Sequence, residues 1–276
     1  MSSLRLSMQK NRDIARFFSK GAPIYREKSE VHRCIAAHLL PQLTGLSATR
    51  ILDAGCGTGF LTAHLKSLFP KAVIDALDIS PHMLHEAQNH LGSCGQIRWI
   101  AADLWDHKSE SPYDLIASSS SFQWIQPLPH LFSLLRALLK PGGSLVFSIL
   151  TEGTLKELRQ ARLEAAPLKP LRNNLPSAAE TRMALLETGF SIQFLGSGSF
   201  YEHFTCAEEM LASIKARGFT GGVLSSADAP LSRRELKDLC AVYDTKFRTQ
   251  EGNVPASYEA LFVRAVTQAY HPRAAL

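Results

Sequence analysis

Residues Ile51–Phe60 read ILDAGCGTGF: a short apolar run ends in an acid, Asp53, and Gly55, Gly57 and Gly59 follow at once. The run has the length and composition of a strand buried on both faces. Glycines so spaced let something approach the backbone closely. A helix is predicted behind them from Thr58 to Phe69, with Phe60, Leu61, Leu65, Leu68 and Phe69 on one face and Pro70 as its stop. A triphosphate loop needs Lys and then Ser or Thr after its last glycine, and none follows Gly59. A dinucleotide fingerprint would place its third glycine at position 60, where Phe60 stands. An acid two residues ahead of the first glycine repels a pyrophosphate and suits a ligand with a cationic centre.

The pattern repeats on either side of this loop. AVIDALD (Ala72–Asp78), IRWIAAD (Ile97–Asp103), YDLIASS (Tyr113–Ser119) and SLVFSIL (Ser144–Leu150) read as further strands. Between them lie a helix opened by Ser80 and Pro81 and another from about Leu128 to Leu139, closed by the turn Lys140-Pro141-Gly142-Gly143. Such alternation specifies an α/β fold, a mostly parallel sheet with helices on both faces, whose ligands bind at the carboxyl ends of the strands. After Leu150 come a helix to about Ala165, a proline-punctuated insertion and a helix from Ala178 to Thr188. A strand follows from Phe190 to Phe204, with a bulge expected at Gly196 and Gly198, then helices near 207–217 and 232–247 and a last strand, Ala256–Val266.

The run Asp53-Ala54-Gly55-Cys56-Gly57-Thr58-Gly59 resembles motif I of the class I S-adenosylmethionine-dependent methyltransferases. The resemblance implies a Rossmann-like seven-stranded sheet with its last strand antiparallel, and S-adenosyl-L-methionine as cofactor, leaving as S-adenosyl-L-homocysteine. It carries the cofactor site onto Asp53, Gly55, Gly57 and Gly59. Asp78, with Ile79 after it, would accept from the ribose hydroxyls, a carboxylate having two suitably spaced oxygens. Asp103 would take the adenine amino group, with Leu104 giving an amide, Met83 an apolar wall and Ser119 the end of the fourth strand. Cys56 reads as packing. The histidines His82, His85 and His90 lack a third ligand nearby, so no metal is expected.

Other stretches are similar to one family, the malonyl-acyl-carrier-protein O-methyltransferases of biotin synthesis. They are the N-terminal FFSKGAPIYREKSEVHR (17–33), SSSSFQWIQPL (118–128), FSILTEGTLKELRQA (147–161), SIKARGFTGG (213–222) and GNVPASYEALFV (252–263). The resemblance implies a helical lid over residues 1–44, a methyltransferase domain over 45–266 with an insertion at about 151–177 and helices at about 206–248, and a frayed tail from 267 to 276. It implies esterification of the free carboxyl of malonyl-acyl carrier protein, with malonyl-coenzyme A left open as an alternative acceptor carrying the same acyl group. Tyr25 in the lid and Arg159 beyond the fifth strand are the expected catalytic residues, Arg159 as a fork for the carboxylate. Lys215, Arg217, Arg233 and Arg234 are a further basic set that suits an acidic carrier protein. Three other readings stay open: a methyltransferase of small carboxylates resembling the trans-aconitate enzymes, a mitochondrial complex I assembly factor that modifies an arginine, which TLKELR and VPASY also resemble, and a catalytically idle binding module.

Composition narrows the field. The chain has 276 residues, 45% apolar and 20% charged, with a formal net charge of +5, too mild and too evenly spread to argue for nucleic acid. No apolar run nears the roughly 20 residues of a membrane helix, so no membrane association is expected. The cysteines are scattered, five in number and without a CxxC pair, which fits a reducing cytoplasm better than a disulfide framework.

Overall fold

A computed structural model describes residues 2–92, 95–217 and 229–267, with the side chains described from residue 13 onward. The first strand, β1 (Arg50–Ala54), is followed by β2 (Val73–Asp78), β3 (Ile97–Ala101), β4 (Tyr113–Ser119), β5 (Leu139–Leu150), β6 (Phe190–Phe204) and β7 (Val254–Thr267). They form one seven-stranded sheet in the order β3-β2-β1-β4-β5-β7-β6. β1 to β5 run parallel, and β7 is antiparallel to both β5 and β6.

Alternation along each central strand divides the apolar side chains between two cores. Ile51, Ile74, Leu115 and Val146 face one, with Ile35, Leu65, Leu158 and Met210 from the covering helices. Leu52, Leu77, Ile116 and Phe147 face the other, with Leu131, Phe132, Leu135 and Leu185. Both faces are thus sealed, which is why these strands read as unbroken apolar runs. The covering helices of the parallel half are α4 (Phe60–Leu68), α5 (Pro81–Leu91) and α6 (Leu128–Leu138). α7 (Lys156–Ala165), α8 (Ala178–Glu187), α9 (Ala207–Ala216) and α10 (Arg233–Lys246) come from the second half. Ahead of β1 lie α1 (Ser2–Lys28), α2 (Glu30–His38) and α3 (Leu40–Leu43).

Local departures from the sequence reading have simple causes. Leu68 is 40% exposed, because the apolar face of α4 narrows toward its end. The glycines of the Lys140–Gly143 turn lie within β5 as a looped-out segment: Tyr113 pairs with Leu139 and Leu115 with Ser144. β6 runs straight through Gly196 and Gly198, and its irregularity falls instead between Ile192 and Phe194. Residues 268–276, expected to fray, and 218–222 of the SIKARGFTGG stretch lie outside the described residues. No helix among the described residues is long and apolar enough to cross a membrane.

Two contacts set α1 over the carboxyl edge of the sheet. Ser19 Oγ lies 2.9 Å from Ser80 Oγ, the cap of α5, whose oxygen also accepts from Met83 N at 3.3 Å. Gly21 packs so near the end of α9 that a Cβ there would lie 2.8 Å from the carbonyl of Arg217. A side chain at position 21 would push α1 off this edge.

Candidate functional site

Where the strand order reverses, between β1 and β4, the loops after β1, β2, β3 and β4 surround a cleft that α1 and α2 roof. Its space, counted out to the solvent-facing mouth and including open solvent, is about 1010 Å³.

The floor is the glycine loop. Gly55 N and Cys56 N both donate to Leu77 O, at 2.8 and 3.0 Å, which stitches the loop to β2. Gly55 has φ +74°, and a Cβ there would fall 1.9 Å from Ser121 Oγ, so only glycine fits. Beyond it, Gly57 N donates to Asp78 Oδ2 at 2.8 Å, and the other oxygen of Asp78 accepts from Ser80 N at 2.8 Å. Asp78 therefore fixes both the loop and the start of α5 while each oxygen keeps a lone pair for a ligand. Burial pushes its carboxyl above the ordinary range, against those two amide bonds.

The walls come from separate elements. Met83 and Leu104 are buried side chains, and Ile79 and Asp103 complete that side. Asp103 Oδ1 caps the short turn after β3 by accepting from Trp105 N at 3.1 Å. Ser119, Ser120 and Ser121 close the β4 end, held to β5 by Ser120 N donating to Ser148 O at 3.0 Å. Gln123 braces this turn, donating to Ser120 O at 2.6 Å and accepting from Leu150 N at 3.4 Å. The roof is aromatic. Phe18 meets Trp124 edge-on with centroids 5.2 Å apart and Tyr25 at 6.3 Å. Ring faces favour a cation over an anion.

Of the residues expected at the site, Tyr25, Gly55, Gly57, Asp78, Ile79, Met83, Asp103, Leu104 and Ser119 all line this cleft. Asp53 and Gly59 stand just behind it. Gly59 backs onto α5, where a Cβ would meet Leu91 Cδ1 at 2.9 Å, so its role is packing rather than ligand contact. Asp53 is fully buried under the loop, with Oδ2 accepting from Thr62 Oγ1 at 2.6 Å and Oδ1 left without a hydrogen-bond partner. A buried carboxylate oxygen with no partner is costly and awaits one.

Arg159 is not brought to the cleft. Its guanidinium donates to the carbonyls of Thr154 and Glu152, closing the turn that leads into α7. Arg217 was expected on the surface for a carrier protein and is instead fully buried, gripping Glu202 through two bonds of 2.7 Å. Lys215, Arg233 and Arg234 are exposed. The cleft also uses residues that the sequence reading left without a role, notably His32, Trp124 and Ile125. The one signal for His32 is its place seven residues after Tyr25, two helical turns on.

The glycine cradle, the open lone pairs of Asp78, the aromatic roof and the unsatisfied Asp53 oxygen fit a sulfonium nucleoside with a cationic tail. Burial pushes the Asp53 carboxyl up to about 7, opposed by the bond from Thr62 and aided by the nearby charge of Asp78. A folded pKa above the ordinary value means that ionising Asp53 destabilises the free protein as pH rises from about 4 through 7. A cationic ligand reverses this by favouring the carboxylate. Affinity for S-adenosyl-L-homocysteine is therefore expected to weaken about tenfold from pH 8 to pH 6. Calorimetry across that range checks it. Asp53→Asn should flatten the dependence, and an equal slope in that variant would assign the titration elsewhere.

Comparison with known proteins agrees with this geometry. A family model described as a methyltransferase domain matches residues 51–143, the segment that supplies the cleft's floor and walls. The fold is shared with the YcgJ protein of Bacillus subtilis, at a TM-score of 0.58 and 11% identity over 84% of this chain and 98% of that one. It is shared too with Haemonchus contortus phosphoethanolamine N-methyltransferase 2 in complex with S-adenosyl-L-methionine, at 0.52 and 20% identity over 84% of this chain and 52% of that one. Sequence similarity reaches further. A malonyl-(acyl-carrier protein) O-methyltransferase of Halalkalibacterium halodurans is 32% identical over 267 residues, 91% of this chain and 96% of its own. One of Brevibacillus brevis is 32% identical over 277 residues, 94% of this chain and 97% of its own. Identity at that level along nearly the whole of both sequences means that the chain belongs to the malonyl-(acyl-carrier protein) O-methyltransferase family.

Proposed function

We propose that this protein transfers a methyl group from S-adenosyl-L-methionine to the free carboxyl of a malonyl thioester on acyl carrier protein, the first step toward a biotin precursor. The observation that carries the reading is the whole-length similarity to that family on top of a cleft built for a cationic nucleoside.

When bound, S-adenosyl-L-methionine supplies a methyl carbon activated by a sulfonium leaving group. Asp78 and Asp103 would hold its ribose and adenine, and Asp53 with the glycine loop its cationic end. The acceptor needs no base, since a carboxylate is ionised at neutral pH and already nucleophilic. Attack forms one C–O bond, breaks one C–S bond, leaves the electron pair on sulfur and moves no proton. The protein's task is therefore alignment and exclusion of water. Phe18, Trp124 and Tyr25 in the roof and Met83 and Leu104 in the wall exclude water. Esterification removes the malonyl charge, so the product resembles an apolar acyl chain.

Intact-mass measurement tests this. Malonyl-acyl carrier protein incubated with the enzyme and S-adenosyl-L-methionine is expected to gain one methyl group that mild base removes. No gain, with binding of S-adenosyl-L-homocysteine shown in parallel, would overturn the reading. Faster methylation of malonyl-coenzyme A, or of free dicarboxylates, would overturn the carrier-protein part alone.

A further inference from the structure

Among the described residues that line the cleft, the carboxyl side chains are Asp78 and Asp103, and there is no lysine or arginine. Arg26 reaches only the rim, where it donates to Thr58 O at 3.3 Å and lies over the Phe60 ring. Among the described residues, then, a malonyl carboxylate entering this cleft meets no guanidinium or ammonium in direct contact.

Opposite the glycine loop, the polar side chains of the roof are Tyr25 and His32, their ring centroids 5.9 Å apart. Behind them lies a buried cluster. Arg217 donates to both oxygens of Glu202, to Tyr258 Oη at 3.2 Å and to Lys28 O at 2.9 Å. Tyr258 Oη donates to Glu202 Oε2 at 2.9 Å, and its ring stands edge-on to His32 with centroids 5.8 Å apart. Lys28 is the last residue of α1, so Arg217 pins the chain midway between Tyr25 and His32. Their mutual placement is fixed from α9, β6 and β7 together.

We propose that the carboxylate of the acceptor is received by His32 and Tyr25, through a ring N–H and a phenol O–H, with Arg217, Glu202 and Tyr258 as the positioning residues behind them. This rests on the malonyl-ester reading above.

Charge supports the arrangement. Burial, then the charge of Arg217, holds His32 down to about 3, so the ring stays neutral. Burial keeps the Tyr25 phenol far above its ordinary range even though Arg217 pulls it down, so it stays protonated. Both remain donors at any working pH. Both also feel the positive potential of Arg217, as an incoming carboxylate would. The acceptor's negative charge disappears as the ester forms, so a full ion pair would hold the ground state more tightly than the transition state. Neutral donors orient the oxygen with less of that penalty.

The test uses calorimetry of malonyl-pantetheine and acetyl-pantetheine binding to the protein loaded with S-adenosyl-L-homocysteine, with kinetics on malonyl-acyl carrier protein. His32→Phe and Tyr25→Phe are each expected to weaken malonyl-pantetheine about tenfold or more, the effect of losing a hydrogen bond to a charged group. Affinity for acetyl-pantetheine and for S-adenosyl-L-homocysteine should stay within about threefold, well under the effect expected on the malonyl compound. His32→Gln, which keeps an N–H donor, should restore most of the loss. The inference is overturned if the malonyl and acetyl compounds weaken equally, if cofactor affinity falls in step, or if Arg26→Ala alone reproduces the malonyl-specific loss. A wild type that methylates malonyl-acyl carrier protein beside an unaffected His32→Phe overturns this inference and spares the reaction. A wild type that does not distinguish the two thioesters and methylates neither carrier form overturns both.

Discussion

Arg217→Ala is expected to lower the thermal midpoint by about 10 °C. Its guanidinium is fully buried and Glu202 nearly so, with side chains 0% and 12% exposed. Deleting one partner of such a pair costs about 3–5 kcal/mol, chiefly because the other charge stays behind in a poorly solvating place. For a chain of this size each kcal/mol moves the midpoint by about 2–4 °C. The loss here includes the donors to Lys28 O and Tyr258 Oη, so α1 also loses its anchor to α9. Arg217→Met combined with Glu202→Leu should recover more than half of the shift, since an apolar pair of similar volume carries no stranded charge. Thermal melts of both single variants and the double one check this. A shift below about 3 °C for Arg217→Ala would mean that solvent reaches Glu202 and the pair holds little.

Asp78→Ala is expected to reduce affinity for S-adenosyl-L-homocysteine on the order of a hundredfold, from the loss of charge-assisted hydrogen bonds worth about 1.5–3 kcal/mol each. Two effects combine in that number. The carboxylate accepts from Gly57 N and Ser80 N, so its loss slackens the glycine loop and the start of α5. On the proposed reading it would also leave the ribose hydroxyls without acceptors. A ligand lacking the 2′-hydroxyl separates the two, because slackening weakens both ligands alike while the ribose contact weakens only the intact one. Equal losses for both ligands would confine Asp78 to holding the loop.

The parallel half of this fold was legible in the sequence because its central strands are buried on both sides and its strands end in chemistry. β1, β2 and β3 each read as an apolar run closed by Asp53, Asp78 or Asp103, with Ser119 closing β4, and all four stand around one cleft or directly beneath it. The second half was legible as elements and illegible as a site. TLKELR looks like a helix offering Arg159 to a ligand. Leu155 instead takes a left-handed conformation with φ 55°, the helix starts only at Lys156, and Arg159 turns back to the carbonyls of Glu152 and Thr154. Arg217 looks like a solvated helix end, because nothing local reveals that Glu202 and Tyr258, on two other elements, will enclose it. His32 had only its spacing from Tyr25, and Ser29, between the helices, interrupts even that. Pairings between distant residues leave no period in a sequence, whereas burial on two faces does.

The place of β7 between β5 and β6 has a consequence for how the molecule is made. A chain emerging from the ribosome presents its amino end first, so β1 to β5 and the glycine loop can assemble while the rest is still being synthesised. β6 is made before β7 yet cannot join the sheet without it, since its pairing in the sheet is to β7. Glu202 rides on β6 and Tyr258 on β7, and α1, the first of the described helices, is anchored by the arginine they surround. The nascent chain can form the floor of the cleft early, but its roof waits for one of the last strands to be made.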